Sequence, residues 1–93
     1  MKFEWDEVKN QINQEKHGIS FEMAAYVFQD KHYIEMFDFE HSDVNEERFI
    51  AIGCVGKILF VVFTERKDSI RLISARLATE AERRLYYDQD IYY

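Results

Sequence analysis

The sequence has no proline and only three glycines among its 93 residues. Without a run of these residues, no flexible linker or domain boundary is indicated. A chain of this length supports one hydrophobic core, so we expect a single domain spanning residues 1–93. Hydrophobic residues make up 47% of the chain, which provides enough apolar surface for folding and excludes a disordered protein.

Cysteine is equally scarce, because Cys54 is the only one. An intramolecular disulfide and a cysteine-rich zinc site are therefore excluded. Cys54 lies among apolar residues of a predicted strand, which favours a buried hydrophobic role over that of a nucleophile. The three histidines, His17, His32 and His41, lack the spacing of metal ligands, so we expect neither a metal ion nor another cofactor.

Long hydrophobic runs and an excess of positive charge are also missing. The longest apolar stretch, residues 58–63, is too short to span a bilayer, and no signal-peptide pattern follows Met1, so we expect a cytoplasmic protein without a membrane partner. The net charge of −6 argues against general binding of polyanions. However, residues 1–47 carry a net charge of −8 and residues 48–93 carry +2, which is compatible with a local basic cleft.

Capping residues predict three helices. Asp6 is a suitable N-cap for a helix that runs to about His17, and Gly18 supplies the left-handed residue that ends it. Ser20 caps a second helix over residues 21–28, whose apolar residues recur with helical spacing. Thr79 to Glu82 matches a capping box, which predicts a third helix ending near Asp88.

Alternating polar and apolar residues predict four strands between the second and third helices. They cover residues 32–39, 48–55, 57–65 and 70–75, with an acidic loop over residues 40–47. Gly56 supplies a tight hairpin turn. The order of elements predicts an α+β fold with two N-terminal helices, a four-stranded antiparallel meander sheet and a C-terminal helix.

Two sets of basic residues are candidates for phosphate binding. Lys9, Asn13, Lys16 and His17 share one face of the first helix, although a solvated helix surface explains the same pattern. Arginines end two strands and occupy the last helix, where their planar guanidinium groups suit phosphate oxygens. They are Arg66, Arg76, Arg83 and Arg84. Salt bridges such as Arg76 with Glu82, or Arg83 with Glu65, are the structural alternative.

Neighbouring strand ends in a meander alternate between opposite edges, so the sequence leaves open whether Arg66 and Arg76 meet. Tyr86 on the last helix could stack on an RNA base, but an aromatic residue on a helix also suits the core.

At these residues the chain resembles the BrnT family, toxins of bacterial type II toxin-antitoxin systems. The matching positions are Phe3 to Glu7, Lys9, Asn10, Asn13, Lys16 to Gly18, Ser20 to Glu22, Ala24, Glu47, Arg48, Ile52, Gly53, Thr64 to Arg66, Ile70, Arg71, Ile73 to Arg76, Ala78, Thr79, Glu82 and Arg83. The resemblance implies a fold similar to the RelE-type ribonuclease toxins and inhibition of translation by metal-free RNA cleavage, with RNA bound free or on the ribosome.

The resemblance also implies partners and roles. An antitoxin of the BrnA kind would neutralise the chain and supply the contacts with DNA, and the acidic, aromatic segment 88–93 is interpreted as facing that antitoxin. The expected roles follow in two groups. Catalysis or orientation is expected of Lys9, His17, Glu65, Arg66, Arg76 and Arg83, and RNA binding of Asn13, Lys16, Arg71 and Tyr86. Imidazole generally titrates near neutral pH, which suits His17 to proton transfer, but a histidine at a helix C-terminus also has a structural explanation.

Two other functions fit the same residues. The chain could be a catalytically silent module that binds its antitoxin and tunes repression of its own operon. It could also be an unrelated small α+β interaction protein, for which polar surfaces and exposed aromatic residues would suffice.

Overall fold

A computed structural model describes residues 1–89. Residues 90–93, which belong to the segment interpreted as facing the antitoxin, lie outside the described residues. The elements in chain order are β1 (Lys2–Glu4), α1 (Glu7–His17), α2 (Phe21–Ala25) with a following 3₁₀ turn (Tyr26–Gln29), β2 (Ile34–Phe37), β3 (Phe49–Val55), β4 (Lys57–Arg66), β5 (Ser69–Leu77) and α3 (Glu80–Asp88).

The five strands form one mixed sheet in the order β1-β5-β4-β3-β2. The α+β class and the antiparallel meander of four strands are confirmed. The expected four-stranded sheet is corrected to five strands, because β1 pairs in parallel with β5 through Lys2, Phe3 and Glu4. A strand of three residues is too short to show an alternating pattern in the sequence. The second helix is also shorter than expected, because the chain tightens into 3₁₀ geometry at Tyr26.

The predicted caps form at all three helices. Asp6 accepts a hydrogen bond from the amide of Lys9 at 3.1 Å, and Gly18 ends α1 with a φ of 71°. The hydroxyl of Ser20 accepts one from Met23 at 3.1 Å. Thr79 and Glu82 complete the reciprocal bonds of the capping box. Local side-chain chemistry therefore determines where each helix begins.

Helices cover both faces of the sheet, but unequally. On one face Phe21, Ala24 and Val27 pack against a core that includes Val61 and Phe63. On the other face α3 contributes Tyr86 to a smaller core, which is completed by Ile52, Ile58 and Ala78. Because side chains alternate along a strand, the even-numbered residues of β4 share the face of α3. The part of that face beyond α3 remains open.

Asn13 joins α1 to the edge of the sheet. Because β1 pairs only as far as Arg71, the rest of β5 has no neighbouring strand on that side. The side chain of Asn13 donates to the carbonyl of Ala75 at 2.8 Å and accepts from its amide at 3.1 Å. It also donates to the carbonyl of Ile19 at 2.8 Å. One buried side chain thus satisfies an open strand edge and fixes the last turn of α1 beside it.

Replacing Asn13 with Ala is expected to lower the free energy of unfolding by about 2 to 4 kcal/mol, because three hydrogen bonds are lost and the buried amide and carbonyl of Ala75 lose a partner. Equilibrium denaturation in urea measures this change. Gln14→Ala on the exposed side of α1 is the matched control and should change stability by less than about 0.5 kcal/mol. Equal stability of the two variants would contradict a structural role for Asn13.

Candidate active site

The open part of the sheet forms a cleft of about 610 Å³ on the face that carries α3. Its floor follows two rows of paired residues across the strands. One row is Ile50, Val62 and Ser74, and the next joins Phe60 to Arg76. The walls come from three other parts of the chain, namely the end of α1, the loop after β2 and the first turn of α3. Side chains from distant segments therefore converge on one surface. The remaining lining residues are His17, Phe37, Asp38, Phe39, Glu40, His41, Ala75 and Glu82.

Arg76 lies at the centre of this cleft and is held from three directions. The guanidinium carbon lies 4.0 Å from the centroid of the Phe60 ring, which is a cation–π contact. Nη1 and Nη2 donate to the two carboxylate oxygens of Glu82 at 2.8 and 3.0 Å. Nη1 also donates to the carbonyl of Leu77 at 3.1 Å. The predicted salt bridge with Glu82 therefore exists, and it fixes the plane of the guanidinium group.

One edge of the guanidinium group remains available to a ligand. Nε–H and the second hydrogen of Nη2 have no acceptor among residues 1–89, because Glu82 and Leu77 occupy the other three hydrogens. These two hydrogens are parallel and adjacent, which suits two oxygens of one phosphate group. The salt bridge and phosphate binding are therefore compatible on the same arginine.

The charges of this pair reinforce each other. Hydrogen bonding to Glu82 raises the pKa of Arg76 above its ordinary value, so the guanidinium stays cationic. Burial alone would raise the pKa of Glu82, but hydrogen bonds from Arg76 and from the amide of Thr79 outweigh burial and lower it. The carboxylate therefore stays ionised and continues to hold Arg76.

Two histidines line the cleft. His17 comes from the last turn of α1, and His41 comes from the loop after β2. Nδ1 of His41 lies 2.8 Å from Oδ2 of Asp38, whose side chain is almost completely buried. Neither His41 nor Asp38 was predicted from the sequence as a site residue. The available signal was the Asp-x-x-His spacing in the acidic loop, which permits a local side-chain contact within one turn.

The basic face of α1 adjoins this cleft. Lys9 and Lys16 line a shallow depression together with Ile73, and the depression shares His17 and Ser74 with the cleft. Both lysine side chains are exposed. The helix face therefore continues the cleft along β5. Asn13 is the exception, because its polar atoms are committed to Ala75 and Ile19.

Three other candidates lie at the opposite end of the β4–β5 hairpin, namely Glu65, Arg66 and Arg71. Arg66 lies six positions along β4 from Phe60, the strand partner of Arg76, which corresponds to about 20 Å along the strand. Arg66 pairs with Glu46 at 3.6 Å, and Arg71 pairs with Glu4 at 3.1 Å. The strand register therefore places Arg66 and Arg76 too far apart to hold the same phosphate, which answers the question that the sequence left open.

The two arginines of α3 make different contacts, and neither lines the cleft. Arg83 donates to the carbonyl of Ala78 at 3.0 Å and does not line the cleft, although it follows Glu82 in the sequence. Arg84 pairs with Glu80 at 2.8 Å on the exposed surface. The alternative pairing of Arg83 with Glu65 does not form, because Glu65 lies at the far end of β4.

Comparison with known proteins identifies the family of the chain. The family model for "ribonuclease toxin, BrnT, of type II toxin-antitoxin system" matches residues 5–82. The chain belongs to the BrnT family. Its structure is similar to the crystal structure of the Brucella abortus ribonuclease toxin BrnT, determined at 1.1 Å, with a TM-score of 0.65 and 27% sequence identity. The match covers 86% of this chain and 99% of the Brucella chain. No curated protein matches the chain.

Membership of the BrnT family rules out the unrelated interaction protein and identifies the chain as a toxin of a toxin-antitoxin system. Among residues 1–89 there is no group of three or more His, Cys, Asp or Glu side chains that could hold a metal ion. No helix in this part of the chain is long and apolar enough to cross a membrane.

Tyr86 belongs to the core of this BrnT family member, not to its surface. The residue is only 9% exposed, so its ring cannot stack on an RNA base as expected from the sequence. Its hydroxyl donates to Oδ2 of Asp30 at 2.5 Å. The same carboxylate accepts the amides of His32 and Cys54 at 3.0 and 2.7 Å. Asp30 thus ties α3 to β3 and to the turn before β2.

The expectation that Cys54 is buried is also corrected. Cys54 is exposed although it shares the face of its strand partner Ile58, because it lies one residue before the end of β3. Its contribution to the Asp30 network comes from the backbone amide, not from the thiol.

The Asp30 network predicts a pH dependence of stability. Burial alone would raise the pKa of Asp30, but hydrogen bonds from Tyr86 and from the two amides lower it below the ordinary value of 3.8. Because the pKa of Asp30 is lower in the folded protein, its carboxylate contributes fully to stability at any pH well above 3.8, the ordinary pKa of the unfolded chain. This contribution disappears as the pH falls through the lower, folded-state pKa.

Replacing Asp30 with Asn should therefore lower the free energy of unfolding by about 1 to 3 kcal/mol at pH 7, and this difference from wild type should shrink under acidic conditions. Urea denaturation at a series of pH values measures the difference. Asp88→Asn, at the exposed end of α3, is the control. A difference for Asp30→Asn that is constant down to pH 2 would contradict the role assigned to its charge.

Proposed function

We propose that this BrnT family toxin is an endoribonuclease that cleaves RNA without a metal ion, in the cleft around Arg76. The observation that carries the proposal is the guanidinium group of Arg76, whose plane is fixed by Glu82 and Phe60 in a cleft that His17 also lines. Such an edge suits the scissile phosphate, and a positioned cation stabilises the additional charge that develops there in the transition state. Cleavage of RNA would inhibit translation.

The other cleft residues have roles that fit this chemistry. His17 is a proton-transfer group, since attack of an RNA 2′-hydroxyl requires a base and departure of the 5′-oxygen requires an acid. Lys9 and Lys16 extend the positive surface towards neighbouring phosphates of the strand. Arg83 contributes positive charge behind Glu82. Phe39, which is 84% exposed at the cleft, takes the base-stacking role expected of Tyr86.

Glu65, Arg66 and Arg71 belong to a second contact region of the proposal. They lie at the far end of the hairpin, where Arg66 also borders a depression formed with residues 45–47. Along the strands Arg66 lies about 20 Å from Arg76, and Glu65 and Arg71 lie about 16 Å from it, so these groups can bind the RNA strand beyond the scissile phosphate but cannot act on it. Because the net charge of −6 opposes binding of free RNA, the ribosome is a suitable place for the substrate.

We further propose an antitoxin of the BrnA kind as the partner that neutralises the toxin. Membership of a type II toxin-antitoxin family supports a partner of this class. We assign the contacts with operator DNA to the antitoxin, because the toxin has a net negative charge and would repel the DNA backbone.

A catalytically silent antitoxin-binding module is the second candidate. The ion pair between Arg76 and Glu82 favours this silent module, because Glu82 neutralises part of the positive charge that binding of a phosphate would require. The apolar floor formed by Ile50, Phe60 and Val62 would also suit a protein partner. RNA cleavage by the purified chain separates the two functions.

Replacing Arg76 with Ala should reduce the rate of RNA cleavage by about 10²- to 10³-fold, as is typical when a donor to a developing charge is removed. Cleavage of an oligoribonucleotide by purified protein, with EDTA present, measures this rate. Induced expression should arrest growth for the wild type and not for Arg76→Ala. Arg84→Ala, on the exposed surface of α3, is the matched control and should cleave at the wild-type rate.

Comparing RNA cleavage by the Arg66→Ala and Arg76→Ala variants tests at which end of the hairpin cleavage takes place. Loss of cleavage in Arg66→Ala that exceeds the loss in Arg76→Ala would place the site at the other end of the hairpin and contradict the proposal. Intact RNA with folded wild-type protein that still binds its antitoxin would favour the silent module instead.

A further inference from the structure

We infer that His41, held in place by Asp38, is the second proton-transfer group of the cleft and acts in a pair with His17. The inference rests on the proposed ribonuclease activity and assigns a catalytic role to a loop that the sequence analysis treated only as an acidic connection. Cleavage without a metal ion requires two groups that exchange protons with the substrate, and His17 is the only histidine predicted from the sequence for this role.

The loop that carries His41 is built as a fixed support. Asp38 donates its amide to the carbonyl of Arg48 at 2.9 Å, which ties the end of β2 to the start of β3. Its carboxylate accepts the amide of His41 at 3.2 Å and contacts Nδ1 of the ring at 2.8 Å. The hydroxyl of Ser42 exchanges hydrogen bonds with the amide and carbonyl of Arg48 at 2.7 and 3.2 Å. The backbone on both sides of His41 is therefore anchored.

Burial differs sharply between the two members of this pair. The side chain of Asp38 is only 5% exposed, whereas that of His41 is 58% exposed. The buried carboxylate holds the ring through Nδ1, so Nε2 is the nitrogen that remains for the cleft. A buried acceptor that orients one ring nitrogen and leaves the other accessible is the arrangement that proton transfer by histidine requires.

The charged and titratable groups around His41 come from four elements. Asp38 and Glu40 belong to its own loop, His17 to the end of α1, Arg76 to β5 and Glu82 to α3. Glu82 is committed to Arg76 and Asp38 to His41, so neither carboxylate is left to accept a substrate proton. Glu40 is a third carboxylate of the lining, but a neutral imidazole carries both a donor and an acceptor nitrogen, as the two halves of the step require.

The proposed step is balanced between the two histidines. One imidazole accepts the proton of the RNA 2′-hydroxyl while the 2′-oxygen forms a bond to phosphorus. The bond from phosphorus to the 5′-oxygen breaks, and the other, protonated histidine donates its proton to the leaving oxygen. The products are a 2′,3′-cyclic phosphate and a 5′-hydroxyl end. Arg76 stabilises the phosphate oxygens throughout this step.

The test is the pH dependence of kcat for three histidine variants. His41→Asn keeps a side-chain N–H near the position of Nδ1, so the contact with Asp38 is preserved while Nε2 is removed. His17→Asn removes the other imidazole. His32→Asn is the matched control, because His32 is exposed in the turn before β2 and does not line the cleft. Equal thermal midpoints establish that each variant is folded.

The wild type should show a bell-shaped pH profile of kcat. His41→Asn should lower kcat by about 10²- to 10⁴-fold without raising KM and should abolish one limb of the profile, and His17→Asn should abolish the other limb. The profile of His32→Asn should equal that of the wild type. Asp38→Asn should lower kcat less than His41→Asn does, since it only loosens the ring.

Three results would overturn the assignment of His41 while leaving the ribonuclease function intact. They are a kcat for His41→Asn within about threefold of wild type, a profile of that variant with both limbs, and loss of the same limb in both histidine variants. Wild-type protein that does not cleave RNA at any pH would overturn the proposed function and this inference together.

Discussion

The hydrogen bonds between Asn13 and Ala75 are the constraint on which the remaining geometry depends. The strand β1 is only three residues long, so it leaves most of β5 without a neighbour on one side. The amide group of Asn13 pairs with the open amide and carbonyl in the manner of a strand residue. This contact fixes the position of α1 and therefore places His17 at the cleft.

The proposed phosphate site is built around Arg76. The net charge of −6 gives no general attraction for RNA, so the proposed recognition of the scissile phosphate depends mainly on one oriented cation. Glu82 appears at first to cancel that cation. Its bidentate contact instead fixes the guanidinium plane and leaves one edge, Nε–H with Nη2–H, unoccupied. The contact with Glu82 thus orients the guanidinium group of Arg76 and also reduces the net positive charge at that position.

The residues that could be predicted from the sequence are those whose roles depend on local chemistry. Asp6, Gly18, Ser20 and Thr79 define helix ends by contacts within a few residues, and the expected caps formed. The short strand β1 could not be predicted, because its pairing with Ser69 to Arg71 depends on a contact between the two ends of the chain. Periodicity carries no information about such a contact.

Site residues were harder to predict because they depend on strand register and burial. Arg66 and Arg76 have similar sequence surroundings, but the hairpin register places them at opposite ends. Tyr86 and Asn13 are polar or amphipathic residues whose polar atoms are used within the fold. His41 was not nominated because its neighbours in the acidic loop suggest a solvated connection, whereas tertiary folding brings that loop to the cleft.

The most direct test of the central claim, that the cleft around Arg76 binds the scissile phosphate, is nuclear magnetic resonance of the arginine Nε–H groups. The protein would be titrated with an oligoribonucleotide that carries a single 2′-deoxy residue and therefore cannot be cleaved there. The structure predicts that the Nε–H signal of Arg76 shifts most, together with the ring signals of His17. Shifts confined to Arg66 and Arg71, with Arg76 unchanged, would contradict the account and place RNA binding at the opposite end of the sheet.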